Sequence, residues 1–276
     1  VLCLPGLTRN AKDFHTLAQA LAQSRRLKRT VYCVDYRGRG RSDRDPEWRN
    51  YSPYIECLDA LDLMTREGLE QVAVIGTSRG GLIAMIMAVL RPTALGAVVL
   101  NDIGPVIERD GFTRIASYVG RIPLPPGWPE AAALVRDMNK RFFPQVREAE
   151  WLEIAKAWFN EDGGAPAQGF DPELARSIAM SAIDGALPTL WPQFKALAAT
   201  PTLVLRGELS DLLSAATVAA MAKAHPLLES RVVAKEGHAP LLRDKPTIEA
   251  IIDFLARSDL HQPSRARAEP MAAGAA

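Results

Sequence analysis

The chain has 276 residues, 48% hydrophobic and 24% charged, with a formal net charge of +1 at pH 7. That is long enough to bury the core of one large α/β domain, and its charge balance excludes a global attraction to nucleic acid or to an anionic membrane. The basic runs "RRLKR" (25–29) and "RGRGR" (37–41) lack interleaved aromatics, so no nucleic-acid partner is expected. No apolar stretch is long and unbroken enough to span a membrane, and no membrane partner is expected either. The oligomeric state is not encoded in any of these features.

Cys3, Cys33 and Cys57 form no CxxC pair, and two of them lie inside apolar, strand-like runs. Sparse, odd-numbered thiols of this kind predict reduced cysteines and a cytoplasmic protein. The chain opens "VLCLPG", without methionine and already inside an apolar run. An upstream segment, able to carry a signal peptide, is expected to precede it.

In chain order, short β-rich runs fall at about 1–4, 30–34, 71–75, 97–100, 202–206 and 230–234. Helical patterns lie between most of them: "AKDFHTLAQALAQS", "SPYIECLDALDLMTRE", the run after Ser78, "SAATVAAMAKAH" and "PTIEAIIDFLARS". Alternation of this kind predicts a mostly parallel sheet with helices on both faces. It divides the chain into a first core segment (1–104), an insertion (105–195) and a second core segment (196–258). The insertion reads as all-helical, holds four of the five tryptophans, and is expected to act as a lid. Its candidate pocket aromatics are Trp128, Trp151, Trp158, Phe159 and Trp191. Residues 259–276 are Ala-, Pro- and Arg-rich without apolar periodicity and read as a disordered tail.

The stretch "VAVIGTSRGGLIAMIMAVL" (72–90) runs from an apolar strand into an apolar helix through one tight turn. An exposed, rigid nucleophile at a helix N-terminus requires such a turn, with small neighbours around a strained central residue. Gly76, Gly80 and Gly81 supply the small neighbours and Ser78 stands at the apex. The pattern predicts a nucleophile elbow.

A serine needs a histidine to take its proton, and the histidine needs an acid to fix its tautomer. His15 lies in a helical pattern, His225 ends a helix before a proline, and His261 belongs to the tail. His238, in "KEGHAP" after the last strand, falls at the same sheet edge as Ser78 and is the expected base. For the acid, "ELSDLLS" after strand 202–206 offers Glu208 and Asp211, while Asp102 in "VVLNDIGP" competes from the end of an earlier strand. Asp211 is preferred because it gives the usual serine–acid–histidine chain order. Asp102 is then expected to anchor the entry to the insertion.

The segments "LPGLTRNAKDF", "VDYRGRGRSD", "GTSRGG", "RGELSDLLS" and "EGHAP" occur in the order of the landmark segments of the α/β-hydrolase superfamily. Across residues 1–257 the chain resembles its compact, lidded branch of serine esterases and enol-lactonases. The resemblance implies two further strands before Val1, so the sheet is expected to lack its N-terminal strands here. It also implies an oxyanion hole formed by the backbone N–H groups of Arg79 and Leu7, the latter following Pro5-Gly6 where the family has His-Gly. "YRGRGRSD" is then a structural turn, since Asp43 stands where a dinucleotide fingerprint needs its third glycine. No metal and no cofactor are implied.

A serine at the apex disfavours epoxide hydrolases and dehalogenases, which resemblance gives an aspartate there. Thr77 before the serine, and an oxyanion loop that is not glycine-rich, count against the meta-cleavage C–C hydrolases. The expected activity is cleavage of a carboxylic ester, lactone or thioester of a small, largely apolar substrate through an acyl-enzyme. The alternatives are a C–C bond hydrolase of the meta-cleavage type and a non-catalytic ligand-binding member of the fold.

Overall fold

A computed structural model describes residues 1–26, 28–183 and 187–260. The first core segment contains β1 (Leu2–Leu4), α1 (His15–Gln23), β2 (Tyr32–Cys33), α2 (Pro53–Arg66), β3 (Val72–Thr77), α3 (Arg79–Leu90) and β4 (Leu95–Asn101). The insertion follows as α4 (Arg109–Tyr118), α5 (Trp128–Asn139), α6 (Glu150–Trp158), β5 (Asn160–Asp162), β6 (Ala165–Ala167), α7 (Leu174–Ile183) and α8 (Trp191–Lys195). The second core segment adds β7 (Thr202–Gly207), α9 (Ala215–Ala224), β8 (Leu228–Val233) and α10 (Lys245–Leu260).

Every expected strand is present, in one parallel sheet of order β2-β1-β3-β4-β7-β8. Side chains alternate across it with period two, as strands covered on both faces require. Leu2, Leu4, Val74, Val98, Leu100 and Val204 face a core closed by α2, α3, α8 and α9. Cys3, Ile75, Val99, Leu203 and Leu205 face the opposite core, closed by α1 and α10. The strand order reverses between β1 and β3, and in open parallel sheets ligands bind beyond the C-terminal strand ends at such a switch point. Cys3, Cys33 and Cys57 are free thiols. Among the described residues no helix is long and apolar enough to cross a membrane.

The insertion departs from an all-helical reading. β5 and β6 form an antiparallel hairpin whose two-residue turn is Gly163-Gly164, both at positive φ. Paired left-handed residues match the right-handed twist of the strands, which is why a Gly-Gly step closes the hairpin. The insertion also has a core of its own, built on Ala131, Val135, Phe143, Trp151, Ile154 and Ala155. At the C-terminus, α10 carries Asp259 and Leu260 in helix, beyond the expected start of the tail. The remainder of that tail, with His261, lies outside the described residues.

The turn between β3 and α3 explains the glycine spacing. α3 lies so close to the sheet that a Cβ on Gly80 would meet the Leu4 carbonyl oxygen at 2.0 Å, and one on Gly76 would meet the Gly80 carbonyl carbon at 2.4 Å. Neither contact can be relieved by a side-chain rotation, because both involve backbone. Gly80→Ala is therefore expected to lower stability by about 3 kcal/mol or more, beyond an ordinary overpacked core position. Urea unfolding of the variant against the parent measures it.

Candidate active site

Ser78 occupies the apex of that turn at φ 50°, ψ −110°, a region that residues with a Cβ rarely adopt. The strain is held in place by pairing. The Ser78 N–H donates to the Asn101 carbonyl at 3.0 Å, and the Ser78 carbonyl accepts from Gly81 and Leu82. The side chain is left at the start of α3, where helical N–H groups have no partner within the helix.

His238 reaches Ser78 from the loop after β8. Its Nε2 lies 2.9 Å from Ser78 Oγ and its Nδ1 lies 2.7 Å from Asp102 Oδ2. An Nδ1–H facing a carboxylate leaves the Nε2 lone pair to accept the serine proton. Asn101 ties the histidine loop to the elbow by donating from Nδ2 to the Pro240 carbonyl (2.9 Å) and to Thr77 Oγ1 (3.0 Å). The loop is also closed on itself: Glu236 Oε2 accepts the Leu241 N–H at 2.7 Å. Burial pushes the Glu236 carboxyl up to about 7, against the opposing pull of that hydrogen bond.

The aspartate beside His238 is Asp102, and this corrects the preference for Asp211. Asp102 is fully buried at the end of β4. Its Oδ1 accepts the Gly207 N–H at 2.8 Å, and its Oδ2 accepts Ser210 Oγ–H at 2.6 Å besides His238. Asp211 turns the other way, into a bidentate ion pair with Arg114 of α4 (Nε–Oδ2 2.6 Å, Nη2–Oδ1 2.8 Å). Burial raises the Asp211 carboxyl, but the Arg114 pairing outweighs it and holds the group below its ordinary value. The backbone of this loop adds two further ties, Gly111 N–H to the Asp211 carbonyl and Glu108 N–H to the Leu212 carbonyl. The two aspartates exchange their expected roles: Asp102 meets the histidine and Asp211 anchors the entry to the insertion. Chain order could not separate them, because both fall between Ser78 and His238. Glu208 accepts the Lys235 N–H and also stands away from His238.

Neither of the other two described histidines is hydrogen-bonded to Ser78. His225 is buried, stacks near Phe194 and accepts the Leu227 N–H at Nδ1, while His15 lies in the first turn of α1. Gly6 lies against Ser78, since a Cβ built on it would come 4.0 Å from Ser78 Cβ. Leu7, on the loop after β1, and Arg79, the first residue of α3, thus stand on the two segments that flank the serine.

A cavity of about 890 Å³ opens over Ser78 and His238. Ile115, Phe143, Trp151, Ile154, Trp158 and Leu241 give it apolar walls, and its rim carries charged side chains of both signs. Of the five candidate aromatics, Trp151 and Trp158 line it. Trp128 instead bonds the hairpin through Nε1 to the Gly164 carbonyl, Phe159 packs on the insertion's own core, and Trp191 packs edge-on against Phe194. The loop after β1 grips the end of α6: Asn10 Nδ2 donates to the Ala157 carbonyl (2.9 Å), and Arg9 stacks over Trp158 at 4.3 Å. Among the described residues, no cluster of three or more His, Cys, Asp or Glu side chains is arranged to hold a metal.

The sheet order, the strained elbow and the serine, aspartate and histidine after the ends of β3, β4 and β8 define a hydrolase of the α/β type. The chain belongs to the alpha/beta hydrolase family, whose model matches residues 1–250. It is 34% identical over 261 residues to the 3-hydroxybutyrate-oligomer hydrolase of Cupriavidus necator, covering 92% of this chain and 87% of that protein. It is 27% identical to the sn-1-specific diacylglycerol lipase of Mus musculus, with 93% and 80% covered. A crystal structure of an alpha/beta hydrolase from Novosphingobium aromaticivorans matches with a TM-score of 0.83 at 40% identity, over 93% of this chain and 88% of that one.

The exchange of aspartates has a direct test. Asp102→Asn is expected to lower kcat by about 10⁴-fold, as when the acid of a serine-hydrolase triad is amidated. Asp211→Asn should leave kcat within about tenfold and lower the melting temperature; steady-state kinetics and thermal unfolding on both variants decide it.

Glu236 gives a pH signature of opposite sign to a paired carboxylate. Its folded pKa of about 7 lies above the ordinary value of 4.5, so the folded state binds the proton more tightly. The stability it confers is fully present below about pH 4.5 and is lost as pH rises towards 7, by linkage on the order of 3 kcal/mol. Glu236→Gln should flatten that part of the stability curve, measured by urea unfolding at steps between pH 4.5 and 8.

Proposed function

We propose that this protein is a serine hydrolase that cleaves a carboxylic ester, lactone or thioester of a small, largely apolar substrate through an acyl-enzyme. The observation that carries the proposal is the unbroken hydrogen-bonded line from Ser78 Oγ through His238 to Asp102, opening into an apolar cavity. Ser78 attacks the carbonyl while His238 Nε2 takes its proton, and Asp102 stabilises the resulting imidazolium. The oxyanion is held by the N–H groups of Arg79, at the first position of α3, and of Leu7. His238 then protonates the leaving alkoxide and afterwards activates the water that releases the acyl group.

Two of the relatives support the ester assignment by what their names say they act on, 3-hydroxybutyrate oligomers and diacylglycerol, both carboxylic esters. The retained serine, histidine and aspartate weigh against a non-catalytic ligand-binding role. The insertion serves as the lid in this reading, with Trp151 and Trp158 as its contribution to the acyl pocket. The free thiols support a reducing compartment such as the cytoplasm.

A fluorophosphonate probe is expected to label the parent protein and to leave Ser78→Ala unlabelled, read by intact-mass spectrometry. On a p-nitrophenyl ester series, Trp151→Ala should shift the preferred acyl length gradually, because each methylene in an apolar pocket is worth about 1–3 kcal/mol. Labelling that persists in Ser78→Ala, or a parent that hydrolyses none of the series, would overturn the assignment.

A further inference from the structure

Behind the site lies a buried ion cluster that the proposed chemistry does not use. Glu56, in the first turn of α2, and Arg39, in the turn after β2, have fully buried side chains; Arg79 is 11% exposed. Arg39 Nη1 lies 2.8 Å from Glu56 Oε1. Arg79 grips the same carboxylate with Nε at 2.7 Å from Oε2 and Nη2 at 3.0 Å from Oε1, and Nη2 also donates to the Tyr51 carbonyl. Two guanidinium groups on one carboxylate leave the cluster with one net positive charge. Burial, offset in part by Glu56, pulls Arg39 below its ordinary value.

The two arginines lead to different places. Arg79 is the residue after Ser78, and its own N–H is one of the two oxyanion donors of the proposed mechanism. Arg39 Nε donates to the Leu7 carbonyl at 3.0 Å, on the loop that carries the other donor. That loop has two more fixed points: the Arg9 N–H donates to the Gly6 carbonyl at 3.1 Å, and Tyr36 Oη donates to the Pro5 carbonyl at 3.3 Å. In a trans peptide the N–H points away from the C=O, so a Gly6 carbonyl turned towards Arg9 aims the Leu7 N–H to the opposite side. Fixing the next carbonyl as well, through Arg39, leaves the Leu7 peptide little freedom to rotate.

We infer that Glu56 is a positioning residue which, by holding Arg39 and Arg79 together, fixes the spacing of the two oxyanion donors at Leu7 and Arg79. The inference rests on the proposed serine-hydrolase mechanism. A purely structural cluster would affect stability alone. A device that sets donor spacing acts where charge develops in the transition state, so its loss lowers kcat and leaves ground-state binding almost untouched. The net positive charge adds a field of the right sign, in a site that water screens poorly.

The test compares Glu56→Gln, Arg39→Lys and Asp59→Asn with the parent on p-nitrophenyl butyrate. It also measures inhibition by butylboronic acid, whose serine adduct carries the tetrahedral, anionic oxygen. Arg39→Lys keeps the charge and removes the Nε donor to Leu7, and it decides the matter if Glu56→Gln does not fold. Asp59 pairs with the Arg37 side chain, on the same turn as Arg39 but apart from the Glu56 carboxylate.

Glu56→Gln and Arg39→Lys are expected to lower kcat about 10–100-fold, with KM within about threefold of the parent, since small displacements of preorganised groups cost rate on this scale. Boronate affinity should fall by a similar factor, and Asp59→Asn should leave both readings within about twofold. Folded variants with unchanged kcat and boronate affinity would overturn the inference while ester turnover by the parent leaves the mechanism standing. A parent without Ser78-dependent turnover would overturn both.

Discussion

The close approach of α3 to the sheet is the constraint on which the site depends. With glycine at positions 76, 80 and 81, the helix backbone rests directly on β1 and β3, and no ordinary loop fits between strand and helix. The chain has to reverse through a single residue, which places Ser78 at positive φ and turns its side chain outward at the helix start. The cost of that strained conformation, of order 1–3 kcal/mol, is offset by the burial of α3 between the sheet and α2. Ile83, Met85 and Met87 are fully buried along it. An unusual backbone at one residue thus follows from ordinary core packing on either side of it.

A parallel sheet supplies the rest of the geometry. All its C-terminal strand ends open on one edge, so residues far apart in sequence converge there without long loops. Asp102 follows β4, Gly207 ends β7, and His238 follows β8; the sheet order brings the last two within hydrogen-bonding range of Asp102. The same edge carries the insertion, which enters after β4, leaves before β7 and so lines the cavity from between two strands that pair.

Much of this was legible in the sequence, where the signal was local. Apolar runs of four or five residues identify the central strands, because strands covered on both faces tolerate few polar residues. The elbow is readable because its steric demand falls on residues adjacent to Ser78. The acid was not readable, because Asp102 and Asp211 both follow strands and both precede His238. What separates them is a partner: Arg114, 97 positions away in the insertion, claims Asp211. Nothing in "ELSDLLS" announces that pairing. The hairpin at 160–167 is illegible for another reason. Its strands have three residues each and no apolar alternation, so the Gly163-Gly164 step stands without the flanking pattern that marks a hairpin. Glu56 carries no sequence signal either, since a glutamate in the first turn of a helix is unremarkable until its burial is known.

The loop from Gly207 to Leu213 joins two functions at neighbouring residues. Ser210 holds Asp102 with its hydroxyl, and that hydroxyl in turn accepts the Leu212 and Leu213 N–H groups. Asp211, one peptide further, holds Arg114 of α4 with both carboxylate oxygens. The insertion and the acid are thus linked mechanically in series through a single peptide unit. Lifting α4 away from the sheet means breaking a two-point ion pair made by the residue next to the one that bonds Asp102. An insertion that lines the cavity and a carboxylate beside the histidine are, in this chain, held by consecutive residues of one loop.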